Sequence, residues 1–365
     1  MVSALDRLTY AARQTARVAW YAGHYAAGRR LLKPMPKPEF DVGPTPTRAE
    51  MTADMRAVFT REWRDIEAGL FPAPRPLGAE PGEFLRRSLR YFRDLPQVDA
   101  RRHGQLDDEM PPGQQGDGLP DYYRQNFHFQ SDGWLSEHSA AIYDTQVEVL
   151  FTGAADVMRR RAMKPIAEWM AGRNQRTLAG LDVGCGTGRL LAFLHDAWPG
   201  LRLTGLDLSP PYLAEARRLI GRTARVKLIE GAAEALPFDD ASLDLVVSSF
   251  LIHELPPDVR NAALKEVARV LKPGGLAVIV ESIQKGDEPS WDGLLDLFPH
   301  YFHEPYYADY VAGSLEAWAA DTSLSPIATE RAFLSKVAAF THSVVSTEAE
   351  SPFRRLGGES GFSEA

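Results

Sequence analysis

A short glycine-rich segment constrains the fold of this chain more than any other feature. Apolar residues flank Asp182, and three glycines follow it at alternate positions: Gly184, Gly186 and Gly188. This pattern is typical of a buried strand that ends in a tight turn and opens a helix. Glycine lets the backbone turn sharply and approach a ligand closely, and free N–H groups at a helix N-terminus attract an anion. The segment therefore predicts a strand–turn–helix unit with a ligand at the turn.

An acidic residue follows at a distance that is typical of nucleotide-binding folds. Asp207 lies 19 residues after Gly188, at the end of the apolar run Leu201–Leu206. In doubly wound sheets, an acid at about this distance closes the second strand and binds a ribose diol. The longer Gly-x-Gly-x-x-Gly fingerprint of dehydrogenases is not matched, because Leu191 or Arg189 stands where its last glycine would fall. The pattern disfavours a nicotinamide cofactor.

Strand and helix signals alternate after Arg176. The predicted strands are Leu178–Val183, Leu201–Leu206, Val226–Ile229, Leu243–Val247 and Leu276–Val280, with one or two more in residues 327–344. The predicted helices between them are Gly188–Ala197, Pro211–Gly221 and Pro257–Leu271. Such alternation predicts an α/β fold with a parallel sheet, helices on both faces, and a ligand crevice at the carboxyl ends of the strands.

The first third of the chain has a different composition. Half of the 26 prolines lie in residues 1–120, although Arg48–Ala68 and Gly82–Leu95 keep helical periodicity. We expect residues 1–120 to be helical and irregular, with no sheet of their own. The remaining predicted units are a helical lid or linker in residues 121–176, the α/β domain in 177–345, and a flexible tail in 346–365.

Residues 1–33 are strongly basic. They contain one acid, Asp6, against six cations: Arg7, Arg13, Arg17, Arg29, Arg30 and Lys33. One interpretation is a helix that packs on the body of the protein. The other is a basic amphipathic segment that contacts an anionic membrane surface as a peripheral partner.

Composition also restricts location and partners. The lone cysteine, Cys185, suits a reducing compartment. No apolar run approaches the ~20 residues that span a bilayer, and no secretory signal is visible. We therefore expect a cytoplasmic protein, with membrane association left open. The net charge of −8 makes a nucleic-acid partner unlikely on electrostatic grounds.

Four motifs in order resemble the class I S-adenosylmethionine (SAM)-dependent methyltransferases. They are Leu181–Gly188, Gly205–Ser209, Glu234–Phe238 and Leu271–Gly275. The likeness is to the ubiquinone- and menaquinone-biosynthesis type with its methyltransf-11 core. It implies a Rossmann-like seven-stranded sheet, SAM as cofactor and S-adenosylhomocysteine as its product. It also implies C- or O-methylation of a small, apolar or aromatic acceptor such as a quinone, a lipid-like molecule or a natural product, under a helical cap at residues 290–322.

The resemblance assigns cofactor contacts. Asp182 would orient the ammonium group of SAM, unless it is only a turn acid, and Asp207 would accept both ribose hydroxyls. An aspartate that is usual in the family is replaced here by Ala232, so backbone groups or Glu234 would bind the adenine. The full expected set is Asp182, Gly184, Cys185, Gly186, Gly188, Asp207, Leu208, Ala232, Ala233, Glu234, Ser248 and Tyr143. In this set Tyr143 would close over SAM, while Cys185 fills space rather than acting as a nucleophile.

Two kinds of side chain are candidates for the acceptor side. His253, just after the fourth strand, is the first candidate for a general base, with Glu254 beside it. The alternative is a histidine that packs or caps the next helix. Expected acceptor contacts, each of which could instead belong to the core, are Phe250, His300, Tyr301, Tyr306, Tyr307 and Tyr123. The pair His300 and His303 has no third ligand at a matching spacing, so no metal is expected.

Two other functions remain open from the sequence. The chain could methylate a protein or an RNA, with residues 1–120 as the docking module. It could also be a SAM-binding scaffold without catalytic activity. Neither the acceptor atom nor the oligomeric state follows from the sequence.

Overall fold

The computed structural model describes residues 3–75, 81–107 and 118–342. At their centre lies one seven-stranded sheet in the order β3-β2-β1-β4-β5-β7-β6. The strands are β1 (Ala179–Val183), β2 (Arg202–Asp207), β3 (Val226–Glu230), β4 (Leu243–Ser249), β5 (Leu271–Ser282), β6 (Leu324–Ala332) and β7 (Ser335–His342). The first five are parallel, and β7 pairs antiparallel with both β5 and β6. The predicted α/β fold with its Rossmann-like sheet is confirmed.

Helices cover the sheet and precede it in the chain. Before the sheet come α1 (Ala4–Leu31), α2 (Arg48–Glu67), α3 (Pro81–Gly104), α4 (Glu137–Leu150), α5 (Ala155–Arg160) and α6 (Met163–Met170). Within the sheet region lie α7 (Arg189–Ala197), α8 (Pro210–Ile220), α9 (Pro257–Val270), α10 (Asp292–Tyr301), α11 (Tyr307–Ala312) and α12 (Leu315–Ala320). The region expected as a cap is thus helical. The expected tail, residues 346–365, lies outside the described residues.

Two element boundaries differ from the sequence prediction. Strand β5 begins at Leu271, five residues earlier than predicted, because Leu271 pairs with Leu243 before a register shift in the ladder. Helix α3 continues past Leu95 and through Pro96 to Gly104. Contacts beyond the proline fix this extension: the carboxylate of Asp99 accepts bonds from the backbone of Lys33 and from Arg102.

The first two helices pack into the same hydrophobic core as the sheet. Buried ion pairs hold these two helices against the core. Glu62 on α2 is fully buried, accepts a hydrogen bond from Tyr10 on α1, and pairs with Arg160 on α5. Arg17 on α1 lies 2.6 Å from a carboxylate oxygen of Asp156 on α5. The inner face of α1 therefore packs on the body, as one interpretation held, while its outer face stays exposed.

No helix in residues 3–75, 81–107 and 118–342 is both long and apolar enough to cross a membrane.

Candidate functional site

The carboxyl ends of β1, β2 and β4 meet at the edge of the sheet where the alternating pattern predicts a ligand crevice. The chain runs from β1 to β2 and β3 on one side, then returns to β4 on the other side. Ligands of doubly wound sheets bind at such a topological switch point. Asp182 on β1, Asp207 on β2 and Ser248 on β4 all lie at or near these strand ends.

Asp182 is a buried carboxyl group without a well-formed hydrogen bond. Its residue is 1% exposed, and neither carboxyl oxygen makes a hydrogen bond of good geometry to any described residue, although the backbone N–H of Leu191 acts on the carboxyl group and lowers its pKa. Burial, together with the negative charge of Asp207, raises the pKa of Asp182 to about 8. An unpaired buried polar group is costly, so a donor is expected to complete this site. A ligand ammonium group would supply both the donor and the charge.

The three glycines of the turn serve different purposes. All have positive φ, at 66° for Gly184, 53° for Gly186 and 78° for Gly188. A Cβ at Gly184 would lie 2.9 Å from Leu251, and one at Gly188 would lie 2.9 Å from an atom of α8. A Cβ at Gly186 would have only an atom of Tyr212 within reach, at 4.0 Å. Packing thus requires glycine at position 188, where the contact is with Cβ and Cα of Ala216. At position 184 the contact is with the end of the Leu251 side chain, and position 186 borders open space.

Asp207 is fixed by the backbone. Its two oxygens accept hydrogen bonds from the N–H of Gly186 at 2.8 Å and the N–H of Ser209 at 2.9 Å. Burial raises its pKa to about 6. Each carboxylate oxygen can accept a second bond, so the side chain retains capacity for a ligand diol. Leu208 beside it is half-buried.

The turn after β3 carries a second acid. One oxygen of Glu234 accepts a hydrogen bond from the hydroxyl of Tyr122 at 2.9 Å, and the other is buried without a partner among the described residues. Ala233 is buried and Ala232 half-buried beside it. The hydroxyl of Tyr306 lies 3.5 Å from the amide nitrogen of Gln125 in the same loop as Tyr122. An unpaired acceptor here suits the amino group of an adenine.

An aromatic loop before α4 covers the β2 side of the crevice. The rings of Phe127 and Trp134 stack with centroids 4.0 Å apart, and the carbonyl of Trp134 accepts a bond from Ser209 at 2.6 Å. Tyr123, an expected acceptor contact, lies instead beside Asp207 and Ser209, where burial raises its pKa. The reason is that the part of the loop around Tyr123 packs over β2, whereas His128 further along donates its backbone N–H to the carbonyl of His303 in the cap.

Sequence reasoning missed Arg159 on α5. It is buried, lies 5.1 Å from the ring centre of Phe250, and its charge acts on both Asp182 and Tyr143. Tyr143 packs edge-on against Tyr212 at 5.3 Å. A cation at this position suits the carboxylate of an amino-acid ligand. Arg159 precedes Asp182 by 23 residues and belongs to no motif, so only the tertiary structure reveals it.

His253 is held by a buried carboxylate on β5. Its Nδ1 lies 2.5 Å from Glu281, which also accepts the backbone N–H groups of Leu251 and Ile252. Burial alone lowers the pKa of His253, but the charge and hydrogen bond of Glu281 outweigh it and raise the pKa to about 9. The expectation of a histidine that titrates near neutral pH is therefore wrong, because Glu281 keeps the imidazole protonated.

Glu254 lies next to two histidines. Its Oε1 is 3.6 Å from Nε2 of His253 and 3.3 Å from Nε2 of His128. Burial, then the charge of Glu304, raises the pKa of Glu254 to about 7. For His128, burial opposes protonation, but Glu304 at 2.6 Å and Glu254 raise its pKa well above the ordinary value.

The expected acceptor contacts separate into two groups. Phe250 and Tyr307 lie near His253, with ring centroids 6.5 Å and 5.8 Å from the imidazole. His300 instead bonds to the carbonyl of Pro36 at 2.9 Å, and Tyr301 packs on it at 5.0 Å. These two face the proline-rich segment because α10 presents its far side to the N-terminal region.

Two expected cofactor residues have structural roles in the crevice wall. The hydroxyl of Ser248 donates to the carbonyl of Val183 at 2.9 Å. The thiol of Cys185 packs where Gly205 leaves room, and burial raises its pKa. A surface cleft of about 820 Å³ between α1 and the turn after α2 contains none of the expected site residues.

Residues 181–275 match the family model described as a methyltransferase domain. The demethylmenaquinone methyltransferase of Chlorobaculum tepidum is 37% identical over 147 residues, which cover 40% of this chain and 57% of that protein. The demethylmenaquinone methyltransferase of Staphylococcus aureus strain JH9 is 37% identical over 143 residues, covering 39% and 56%. The chain thus spans little more than half the length of these curated relatives.

Among solved structures, a SAM-dependent methyltransferase from Aquifex aeolicus is 18% identical. It aligns with a TM-score of 0.37 over 50% of this chain and 89% of that chain.

Proposed function

We propose that the chain carries a class I SAM-dependent methyltransferase domain and transfers a methyl group from SAM to a small, largely apolar or aromatic acceptor. The observation that carries the proposal is Asp182, a buried carboxyl group without a well-formed hydrogen bond, one strand away from the ribose-binding candidate Asp207. SAM supplies an electrophilic methyl group on a sulfonium. The S–CH₃ bond breaks and its electron pair stays on sulfur, a C–CH₃ or O–CH₃ bond forms, and the acceptor releases its proton to solvent.

The geometry supports the following proposed cofactor contacts. Asp182 binds the ammonium group, Arg159 the carboxylate, and Asp207 the ribose hydroxyls, while Tyr122 and Glu234 border the adenine. Gly186 gives the ligand room to approach the backbone. Holding both reactants in line is the main contribution of such an enzyme, and proximity alone can be worth ~7–11 kcal/mol.

Aromatic side chains support an apolar acceptor. Phe250 and Tyr307 flank His253, and the ring of Phe298 lies 4.9 Å from that of Tyr307. The similarity to demethylmenaquinone methyltransferases supports a quinone-like acceptor. His253, protonated and positioned by Glu281, donates a hydrogen bond to an acceptor oxygen as negative charge develops there. Glu254 completes the polar end of this chamber.

Calorimetry and a methylation assay test the proposal. SAM is expected to bind the wild-type chain, and Asp207→Ala is expected to weaken binding at least tenfold. The exposed Asp239→Ala serves as the control. Incubation with SAM and a panel of demethylated quinones, phenols and lipid-like acceptors is expected to give one product heavier by one CH₂. Unaltered SAM binding by Asp207→Ala would contradict the ribose assignment, and SAM binding without any product would favour a scaffold.

The outer faces of α1 and α3 favour a membrane as the source of such an acceptor. Exposed apolar side chains, among them Trp20, Tyr25, Leu85 and Leu89, share these two helices with exposed cations: Arg29, Arg30, Arg86, Arg90 and Arg93. The chain as a whole carries −8, so this concentration of positive charge is local. Basic amphipathic surfaces of this kind bind anionic lipids.

Vesicle flotation tests whether this surface of α1 and α3 binds anionic lipids or is only solvated. The wild-type chain is expected to float with phosphatidylglycerol vesicles at low salt and to be released as salt rises. Arg86→Glu combined with Arg90→Glu is expected to abolish flotation, whereas Arg56→Glu on α2 is the control. Equal binding to neutral phosphatidylcholine vesicles would contradict the electrostatic basis.

A further inference from the structure

A second group of ionisable side chains lies beside the crevice and outside the expected cofactor set. His128 comes from the loop before α4, Glu254 from the turn after β4, and Glu304 from the link between α10 and α11. One ligand atom from each lies within 4.8 Å of the other two. Three segments that are distant in sequence thus bring one imidazole and two carboxylates together. Buried groups of this kind need a compensating partner.

Glu304 is only partly compensated by its neighbours. The residue is 4% exposed, and neither carboxylate oxygen makes a hydrogen bond of good geometry within the described residues. Nδ1 of His128 lies 2.6 Å from Oε1 of Glu304 but is itself without a well-formed hydrogen bond, as is Oε2 of Glu254. Unsatisfied buried polar groups destabilise the folded state. One cation that binds one ligand atom from each of the three residues would compensate this cluster.

The local charge balance also favours a cation. His253 pairs with Glu281 at 2.5 Å and lies 3.6 Å from Glu254, whereas His128 faces the carboxylates of both Glu254 and Glu304 at shorter range. Two carboxylates at such a short range repel each other unless a proton or a metal lies between them. A divalent ion would neutralise both.

We propose that His128, Glu254 and Glu304 bind a divalent transition-metal ion. One imidazole and two carboxylates form a donor set that Zn²⁺ and Mn²⁺ accept. Ligand bonds of about 2.1 Å place two donor atoms about 3–4 Å apart, so small side-chain movements close the observed spacing around an ion. Three protein ligands leave a position for water or for an oxygen of a bound molecule.

The position of the ion indicates what it would bind. Oε1 of Glu254 lies 3.6 Å from Nε2 of His253, which connects this cluster to the polar end of the proposed acceptor chamber. The rings of Phe298 and Phe302 lie 6.5 Å and 6.2 Å from the imidazole of His128. This part rests on the proposed function: the open position takes a phenol, enol or quinol oxygen of the methyl acceptor and stabilises its deprotonated form.

Metal binding is measured on tag-free, full-length protein that has been treated with a chelator and dialysed. Calorimetric titration with Zn²⁺ and with Mn²⁺ is expected to give one site per chain with at least one of them, and Co²⁺ a visible absorption band of a protein-bound ion. Glu304→Gln and His128→Asn are expected to weaken binding at least tenfold. His303→Asn, a histidine adjacent to Glu304 but outside the triad, is the matched control and is expected to bind like the wild type.

The outcomes distinguish a failure of the proposed metal site from a failure of the proposed methyltransferase function. A wild-type chain that binds none of the three ions above the background of a metal-free buffer overturns the site, even if both ligand variants fail to fold. Equal affinity in wild type, Glu304→Gln and Glu254→Gln overturns it as well. SAM binding by the same chelator-treated protein is measured in parallel, so the metal site can fail while the methyltransferase proposal stands.

Discussion

The charge of Asp207 reaches Asp182 on the neighbouring strand and helps to raise its pKa to about 8. Position 182 pairs with position 205 in the β1–β2 ladder, so the two acids lie on adjacent strands at one edge of the sheet. Without a ligand, one of the two carboxyl groups holds a proton at neutral pH. The pair thus prepares a site for a positively charged ligand and makes the ligand-free fold sensitive to pH.

The stability of the ligand-free protein should fall as the pH rises from about 4 to about 8. Over that range the folded state keeps a proton on Asp182 that the unfolded chain releases, so unfolding becomes more favourable at higher pH. Asp182→Asn cannot lose a proton and should be more stable than the wild type at pH 8, by a few kcal/mol. Urea unfolding at pH 5 and pH 8 measures how the free energy of unfolding of the wild type and of Asp182→Asn changes with pH. A variant with the wild-type pH dependence would show that another group is responsible.

SAM affinity should rise with pH in the wild type relative to Asp182→Asn. Binding the ammonium group requires the ionised form of Asp182, so at lower pH part of the binding free energy is spent on removing its proton. Calorimetry at pH 6, 7 and 8 with both proteins gives the ratio of affinities, in which the titration of SAM itself cancels. A ratio independent of pH would remove Asp182 from the ammonium site.

Arg159→Met should weaken binding of ligands that carry the amino-acid part of SAM. Arg159 is the buried cation whose charge reaches Asp182, and a charged hydrogen bond to a carboxylate is worth about 1.5–3 kcal/mol. S-adenosylhomocysteine should therefore bind at least tenfold more weakly to the variant. 5′-Methylthioadenosine, which lacks the amino acid, should bind the two proteins equally. Parallel losses for both ligands would indicate general damage to the crevice.

Gly188→Ala should mainly lower the stability of the fold, whereas Gly186→Ala should mainly weaken SAM binding. At Gly188 a Cβ would collide with α8 at 2.9 Å, so this change should lower the free energy of unfolding by more than about 2 kcal/mol. At Gly186 the new Cβ meets no atom closer than 4.0 Å, so the cost is mainly the positive φ, about 1–2 kcal/mol, while SAM affinity should fall at least tenfold. Thermal unfolding measures the effect of each change on stability, and calorimetry measures its effect on SAM affinity. Full SAM affinity in Gly186→Ala would mean that the ligand does not approach this turn.

Glu62→Gln should destabilise the whole protein and not only its first helices. The change leaves Arg160 buried without its carboxylate partner, which typically costs about 3–5 kcal/mol. Glu67→Gln, an exposed position on the same helix, should be neutral. A single cooperative unfolding transition for Glu62→Gln, shifted to lower denaturant, checks this. A separate early transition would show that α1 and α2 unfold independently of the sheet.

The sequence alone determined the sheet and the cofactor edge, because those signals are local. A buried strand, a glycine turn and an acid at the next strand end follow one another along the chain, and right-handed crossovers bring their ends together. Asp182, Gly186 and Asp207 could therefore be found without coordinates. Only the tertiary structure brought Arg159, His128, Glu281 and Glu304 to the crevice, since each lies in a different element with no fixed spacing to the motifs. It also decided that His253 is protonated, because a pKa depends on which charges surround a group in space.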